Sequence, residues 1–219
     1  MPLESYEIAH PEYLHIVSGD GFLYGCDQEW YAITWRKRAG CGPVAATNLL
    51  LYLIKKHCLQ TIPYKNGTIV EASAAMNDVF PFVRPTITGL HTVKLFVKGI
   101  RKLSRHYNVR FNCQYLNIPP NKAVRPDINA VGAFISEGLR KDVPVAFLNL
   151  HAGDVKEVDS WHWVTIVGLC LDTDSGKLMA RFYDFTKSLE MDMGKWLSTT
   201  RLGGGLVYLN NPVVLESEA

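Results

Sequence analysis

The 219-residue sequence lacks a long hydrophobic run and a recognisable targeting segment. Its longest apolar stretch, residues 49–54, ends at Lys55 and falls short of the roughly 18 apolar residues that a membrane helix requires. The first residues, MPLESYEIAHPEYLHIVSG, show no basic start followed by an apolar segment, so a secretory signal is not indicated. These absences predict a cytoplasmic protein without a membrane span.

An excess of charge of either sign is also lacking. Lys and Arg together number 23 and Asp and Glu 21, which gives a net charge of +2 without a long basic stripe. A nucleic-acid partner is therefore not expected, because such proteins carry clustered positive charge. The hydrophobic fraction of 47% and the charged fraction of 20% are typical of a globular chain, and the length suits a single domain over residues 1–219.

Cysteine is sparse, with five residues: Cys26, Cys41, Cys58, Cys113 and Cys170. An odd, small number over this length is not typical of a disulfide framework, and it leaves at least one thiol free. No CxxC pair and no Cys/His set with zinc-finger spacing occurs, so we expect no metal site. Glycine-rich phosphate-binding signatures and the GxSxG motif are also missing, and no cofactor is expected.

The first half of the chain has the pattern of helices after an irregular start. Residues 41–57 are mostly apolar, with Pro43 in the first turn, where its missing N–H would have no partner anyway. Because this segment is apolar nearly all round, it predicts a buried helix. Three further helices are predicted. A Thr68–Glu71 capping box indicates a helix over residues 68–81, apolar residues at helical spacing indicate one over 88–107, and an Asp127 cap indicates one over 127–141.

The second half is rich in β-branched and aromatic residues, which favour strands. Strands are predicted over residues 143–150, 161–171, 178–185 and 206–209, with the turn 172–177 (DTDSGK) joining the second and third as a hairpin. A buried N-terminal helix packed against a C-terminal antiparallel sheet is an α+β arrangement.

The two halves predict two lobes of one domain. We expect a helical lobe over about residues 26–117 and a sheet lobe over about residues 127–210. Between them, the segment 118–126 (IPPNKAVRP) is the best candidate for a hinge or boundary, because its three prolines interrupt both periodicities.

The strongest candidate for chemistry is Cys41, in the sequence Gly40-Cys41-Gly42-Pro43 at the start of the predicted buried helix. Unpaired backbone N–H groups and the positive end of the helix dipole favour the thiolate, which is the nucleophilic form. The two glycines leave room for a substrate backbone, and the backbone N–H of Cys41 can donate to an oxyanion. The structural alternative is a cysteine buried as a small hydrophobe. The basic run 36–38 upstream is either a solvated loop or an addition to the positive field.

A thiol nucleophile needs a base, and His162 lies at the start of a predicted strand. One polar side chain in an otherwise apolar strand needs a partner. Asp184, at the end of the strand after the DTDSGK turn, can lie beside His162 and fix its tautomer. Alternatives remain: His151 as the base, Asn149 as the third member, a His162 satisfied by a backbone carbonyl, or an Asp184 that only caps a turn.

Five sequence blocks together resemble a papain-like cysteine peptidase. They are GCGPVAATNLLLYL, VPVAFLN, WHWVTIVGL, FYDF and GGGLVYL, in that order over roughly residues 26–210. The layout is similar to that of the peptidases that process bacteriocin double-glycine leaders, and to their stand-alone bacterial relatives. The resemblance implies a papain-like fold with Cys41 as nucleophile, His162 as general base and acid, and Asp184 as the residue that orients the imidazole.

One departure from the family concerns the oxyanion hole. The family has a Gln a few residues before the nucleophile, whereas the only upstream Gln here is Gln28, thirteen residues before Cys41. Either an insertion lets Gln28 serve, or the Trp35 indole N–H or backbone donors take its place. The loss of one such donor typically lowers the rate by about a hundred- to a thousandfold. Trp161 and Trp163 either wall the substrate cleft or pack in the core.

Three functions fit this set of residues. The first is a thiol hydrolase, a cysteine peptidase or amidohydrolase, that forms an acyl-enzyme and releases it to water. The second is an acyltransferase on the same scaffold, in which an amine or thiol replaces water. The third is a catalytically silent binding module that retains the fold. The expected partner is a peptide or a small amide-containing substrate. The sequence indicates neither the identity of this substrate nor an oligomeric state.

Overall fold

The computed structural model describes residues 5–172 and 177–215. Within these ranges, the helices in chain order are α1 (Thr34–Ala39), α2 (Cys41–His57), α3 (Ile69–Val79), α4 (Val93–His106), α5 (Ile128–Arg140) and α6 (Met193–Thr199). The strands are β1 (Ser5–Glu7), β2 (His15–Ser18), β3 (Gly21–Tyr24), β4 (Val109–Ile118), β5 (Val145–Asn149), β6 (His162–Asp172), β7 (Lys177–Asp184), β8 (Lys187–Asp192) and β9 (Gly204–Val214). None of the helices in this part of the chain is long and apolar enough to cross a lipid bilayer.

One large antiparallel sheet dominates the structure. Its strands lie in the order β4-β9-β5-β6-β7-β8, and β1 pairs with the outer half of β6 beyond the end of β5. Strands β2 and β3 form a separate hairpin. Helices occupy much of the first half of the chain and most of the sheet comes from the second half, so the predicted α+β class is confirmed.

Helix α2 forms the centre of the core. Every residue from Gly42 to Ile54 is buried, as expected for a segment that is apolar nearly all round. The helix packs against β5, β6 and β9, and the burial of each large aliphatic side chain contributes on the order of 2 kcal/mol. It ends at Cys58, whose φ of +51° is the left-handed conformation that closes many helices.

The predicted helix starts that rest on capping are confirmed. The Thr68 hydroxyl accepts a hydrogen bond from the Glu71 backbone N–H, and the Glu71 carboxylate accepts one from the Thr68 backbone N–H. The Asp127 carboxylate caps α5 in the same way. These caps satisfy backbone donors that a helix cannot pair internally, which is why they locate a helix start from local sequence alone.

The helix predicted over residues 88–107 starts later than expected. Thr92 caps it, so the first helical residue is Val93. The preceding residues 86–89 form a tight turn, in which Gly89 has a φ of +78°. Glycine adopts this conformation without the steric cost that a side chain would bring, so the turn, not the helix, takes these residues.

Tertiary pairing sets the strand ends. The last strand, predicted as 206–209, extends over Gly204–Val214 because β4 pairs with it as far as Val214, while β5 pairs with its first half on the other side. Strands β6 and β7 pair as far as Asp172 opposite Lys177. Residues 173–176 of the predicted DTDSGK turn lie outside the described residues. Strand β4 belongs to the stretch predicted as a helical lobe, yet it forms an edge of the sheet.

The proline-rich segment 118–126 is held in place by Arg125. The Arg125 guanidinium donates to two carbonyl groups within the segment and to two carbonyl groups at the end of α6. Charge-assisted hydrogen bonds of this kind are stronger than neutral ones. Arg125 therefore attaches the segment to the end of α6.

Candidate active site

Three of the predicted residues meet where α2 approaches the hairpin β6–β7. Cys41 is the first residue of α2, His162 is the first of β6 and Asp184 is the last of β7. The register between β6 and β7 places Thr165 opposite Tyr183, so the start of one strand lies beside the end of the other. This register brings His162 Nε2 to 2.8 Å from Asp184 Oδ1.

His162 is buried, with 6% of its surface exposed. Burial alone disfavours the charged imidazole, but interactions with the side chains of Asp184 and Cys41 outweigh it and raise the pKa of His162 to about 10. The imidazole is therefore expected to carry a proton at neutral pH. A neighbouring imidazolium favours the thiolate form of a cysteine.

Phe185 covers one face of the His162 ring. The two rings are parallel within 8°, and their centroids are 5.3 Å apart. Phe185 and Thr186 form the two-residue turn between β7 and β8, with φ values of +44° and +60°. Such turns normally use Asn or Gly, because other side chains strain the left-handed conformation.

Backbone strain flanks both members of the His162–Asp184 pair. Besides the turn after Asp184, Trp161 immediately before His162 has a φ of +60°. Each non-glycine residue in this conformation costs on the order of 1 kcal/mol or more, and such residues concentrate at functional sites. The surrounding sheet stabilises conformations that the local sequence would not choose.

A buried asparagine connects the segments that carry the site. Asn48 follows Cys41 by about two turns of α2 and is 2% exposed. Its Oδ1 accepts a hydrogen bond from the Cys26 backbone N–H at 3.0 Å, and its Nδ2 donates to the Thr165 hydroxyl on β6 at 3.1 Å. The amide therefore fixes α2 relative to β6 and to the loop that precedes Asp27.

Cys41 differs from the other thiols in its surroundings. All five cysteines are free, and Cys41 is half-buried at a helix start that no side chain caps. Burial raises the pKa of the Cys26 thiol far above its usual range and that of Cys113 to about 11, so both stay protonated. Cys58 lies at the opposite end of α2, where the helix dipole disfavours a negative charge.

A cavity of about 290 Å³ opens onto Cys41. Trp161 lines it from the solvent side and is 56% exposed. Trp163 lines it from the interior, where its indole N–H donates to the Leu90 carbonyl at 2.6 Å and its ring stacks on Phe96. The sequence left open whether these tryptophans wall a cleft or pack in the core. Trp161 lines the cavity, whereas Trp163 both lines the cavity and packs in the core.

The prediction that Gly40 and Gly42 leave room for a substrate is wrong. Both glycines are buried, and neither is among the residues that line the cavity. A Cβ atom on Gly40 would lie 2.6 Å from the Tyr31 ring, and one on Gly42 would lie 2.5 Å from the Leu90 side chain. These distances are far shorter than van der Waals contact, so the glycines admit the protein's own side chains.

Of the two side chains predicted as oxyanion donors, Gln28 lies before α1 and Trp35 lies on it. Gln28 begins a short 3-10 helix, and α1 is a short insertion between it and Cys41. The Gln28 Oε1 atom is buried and has no hydrogen-bond partner among the described residues. Trp35 lies on α1, is 43% exposed and lines the cavity.

Sequence reasoning missed Asp27, a second carboxylate near the site. Burial raises the pKa of Asp27, the hydrogen bond from the Glu29 N–H opposes this effect, and the nearby Asp184 and His162 act in opposite directions. In the sequence, Asp27 has only the pattern of a helix cap. Its distance from His162 along the chain conceals the proximity, which the Asn48 hydrogen bonds create.

The alternative base, His151, has a structural role. Its Nδ1 accepts a hydrogen bond from the Gly153 N–H at 3.0 Å, and its carbonyl accepts one from the Thr200 hydroxyl at 2.7 Å. These contacts fix the loop after β5. The ring nitrogen that would serve as a base is already in use as an acceptor.

The alternative third member, Asn149, is opposite His162 in the β5–β6 ladder, but its side chain is fully used elsewhere. Its Nδ2 donates to the Asp159 carbonyl at 2.7 Å, and its Oδ1 accepts from the Trp196 indole at 2.8 Å and from the His151 N–H at 3.1 Å. The side chain is therefore a structural connector of β5 with the loop 150–160 and α6.

Asn149→Ala is expected to lower the free energy of unfolding by about 2–4 kcal/mol, because it leaves buried donors and an acceptor unpaired. Chemical denaturation measures this loss. The alkylation rate of Cys41 in the folded variant should stay within a few-fold of the wild-type rate. A loss of stability below about 1 kcal/mol would contradict the structural role.

In residues 5–172 and 177–215, no group of three or more His, Cys, Asp or Glu side chains is arranged to hold a metal ion. The site itself contains a thiol, an imidazole and a carboxylate beside a cavity.

Comparisons with known proteins give a distant structural likeness. No protein-family model matches the sequence, and no curated protein matches it either. Among solved structures, the chain is similar to a crystal structure of UfSP from C. elegans, with a TM-score of 0.49 and 10% sequence identity. The match covers 97% of this chain and 35% of the other, so this chain spans about a third of that protein's length.

Proposed function

We propose that the protein is a papain-like cysteine peptidase or amidohydrolase that acts through Cys41, His162 and Asp184. The observation that carries the proposal is the position of His162. This buried imidazole lies 2.8 Å from Asp184 and interacts with Cys41, the first residue of the central helix. A cavity large enough for part of a peptide opens onto the same cysteine.

In the proposed reaction, the Cys41 thiolate attacks the carbonyl carbon of an amide and forms a tetrahedral intermediate. The His162 imidazolium donates its proton to the leaving amine, the C–N bond breaks and an acyl-enzyme remains. His162, now neutral, takes a proton from a water molecule that attacks the thioester. The acid product leaves, and the thiolate–imidazolium pair is restored.

Asp184 supports both steps through the far side of the imidazole. Its Oδ1 accepts the hydrogen bond from Nε2–H, which leaves Nδ1 for proton transfer toward Cys41. Stacking by Phe185 restricts rotation of the same ring. The backbone N–H of Cys41 is the proposed first donor to the oxyanion, and Gln28 or Trp35 supplies the second.

Alkylation with iodoacetamide at pH 6, followed by peptide mapping, tests the proposal. An ordinary thiol with a pKa of about 8.5 is thiolate in only about 0.3% of molecules at this pH. Since a stabilised thiolate is also a weaker nucleophile, we expect Cys41 to react about 10- to 100-fold faster than Cys58. Cys58 is the matched control within the same chain because it is exposed.

Two variants complete this test. His162→Ala should bring the Cys41 rate down to that of Cys58, because the counter-ion is removed. Cys170→Ala should leave the Cys41 rate unchanged, because Cys170 lies on the outer half of β6. Equal rates for Cys41 and Cys58 in the wild-type protein would contradict the proposal.

A further inference from the structure

The three basic residues before Cys41 have different surroundings. Arg36 donates to Asn77 Oδ1 at 2.7 Å and lies over the Phe80 ring. Lys37 pairs with Glu29 at 3.4 Å. Arg38 has no hydrogen bond or ion pair with any described residue, and it lines the cavity at Cys41. Only the third of these side chains is available to a ligand.

The cavity carries charge of one sign. Of the described residues that line it, none is Asp or Glu, so Arg38 has no carboxylate inside the cavity to pair with. His91 also lines the cavity, but its Nδ1 is engaged with Thr88 and the Gly89 carbonyl. A free guanidinium beside a reactive thiol attracts an anion, and the guanidinium matches a carboxylate in two-point geometry.

Exposed apolar side chains also line the cavity. Trp35, Ile87 and Trp161 all line the cavity and are all exposed, with Ile87 entirely so. Large apolar side chains that remain in contact with water around a cavity mark a surface that a ligand covers.

We propose that the substrate of Cys41 carries a carboxylate within a residue or two of the scissile amide, and that Arg38 binds this carboxylate. An apolar portion of the same substrate lies against Trp35 and Trp161. Arg38 is then the residue that sets the preference for anionic substrates. The role of Arg38 in substrate binding rests on the proposed hydrolase function. The preference of the cavity for anions does not, because it depends only on the residues that line the cavity.

The carboxylate can come from an acidic side chain or from a free C-terminus. Both present the same planar anion to a guanidinium. They differ in position, because an acidic side chain leaves the peptide chain free to continue past the cavity. The substrates in the second experiment below separate these sources.

The first experiment measures the anion preference without any turnover. Iodoacetate and iodoacetamide are nearly the same size and differ in charge, and both alkylate Cys41. The rate ratio of iodoacetate to iodoacetamide at Cys41 should fall about three- to tenfold in Arg38→Gln, as expected for the loss of one nearby, partly screened charge. The ratio at Cys58 should not change.

Lys37→Gln is the matched control, since Lys37 is adjacent in sequence but paired with Glu29. The ratio at Cys41 should remain at the wild-type value in this variant. An unchanged ratio in Arg38→Gln, or an equal fall in Lys37→Gln, would overturn the role of Arg38. Because neutral iodoacetamide reports the thiolate separately, a slow Cys41 in the wild-type protein would instead count against the proposed hydrolase.

The second experiment uses internally quenched peptides in three matched sets. One set carries Glu near the centre, one carries Gln in its place, and one is a short Gln peptide with a free C-terminal carboxylate. Either the Glu set or the free-carboxylate set should be cleaved at least tenfold faster than the Gln set, and Arg38→Gln should remove the difference. Equal cleavage of all three sets by the wild-type protein would overturn the substrate class.

Discussion

His162→Ala is expected to reduce turnover of a peptide amide, per folded molecule, by about 10⁴- to 10⁶-fold. In proteins where nucleophile and base act as a unit, removal of either one costs about as much as removal of both. The combined variant Cys41→Ala/His162→Ala should therefore be no slower than either single variant. Fluorogenic peptide amides measure kcat for all three proteins.

His151→Ala is the matched control for this prediction. His151 follows β5, and its ring is used within its own loop. We expect its kcat, per folded molecule, to stay within a few-fold of wild type. Retention of more than a tenth of the activity in His162→Ala, or a larger loss in His151→Ala, would mean that the base is wrongly assigned.

Asp184→Ala is expected to lower kcat by about 10²- to 10⁴-fold, because the imidazole loses both its orientation and a nearby negative charge. Asp184→Asn should lower kcat by no more than about tenfold at neutral pH. The Asn oxygen can still accept the hydrogen bond from Nε2–H, and an imidazolium donates from both nitrogens. A severe loss in Asp184→Asn would favour a neutral imidazole at rest.

The pH dependence of activity gives a second test of Asp184, by comparing the wild-type protein with Asp184→Asn. Burial lowers and the interactions with Asp184 and Cys41 raise the pKa of His162, to about 10 in the folded protein. Activity that needs the imidazolium should therefore fall as the pH rises through about 10. Asp184→Asn removes one of the raising interactions, so its alkaline limb should lie at lower pH. The same limb in both proteins would contradict the role of Asp184.

The same shift has a consequence for stability. A histidine whose folded-state pKa is raised stabilises the fold fully below its unfolded value of about 6.5. That contribution is lost progressively as the pH rises through the folded-state value of about 10. The free energy of unfolding should thus fall between these two pH values. Phe185 contributes to the same environment, since its ring covers the imidazole.

Local chemistry explains which elements could be predicted. The start of α2 at Cys41, the Thr68–Glu71 capping box and the Asp127 cap each depend on a few neighbouring residues, and the structure has all three. The late start of α4 could not be predicted from periodicity, because a glycine turn and the Thr92 cap override it. Strand β9 is longer than its apolar run because pairing with β4 extends it as far as Val214.

The candidate site shows the same division. The residue types and their order in the chain were visible in the sequence, since a cysteine at a helix start and a lone histidine in an apolar strand are local signals. The roles of Gly40 and Gly42 were not visible, because the space beside them is filled by Tyr31 and by Leu90, which only folding brings against them. Arg38 could not be distinguished from its two basic neighbours until their partners were known.

The sequence alone is sufficient to predict an α+β chain with one buried helix and a small set of residues suited to thiol chemistry. Those features follow from propensity, capping and the burial of apolar side chains, which act over a few residues. Only the folded chain fixes the β6–β7 register, the 2.8 Å contact of His162 with Asp184 and the cavity beside Cys41. The position of α2 against β6 depends further on contacts between segments more than a hundred residues apart, such as that of Asn48 with Thr165. Local sequence contains no signal for such contacts, because many pairings of the same strands satisfy the same apolar pattern.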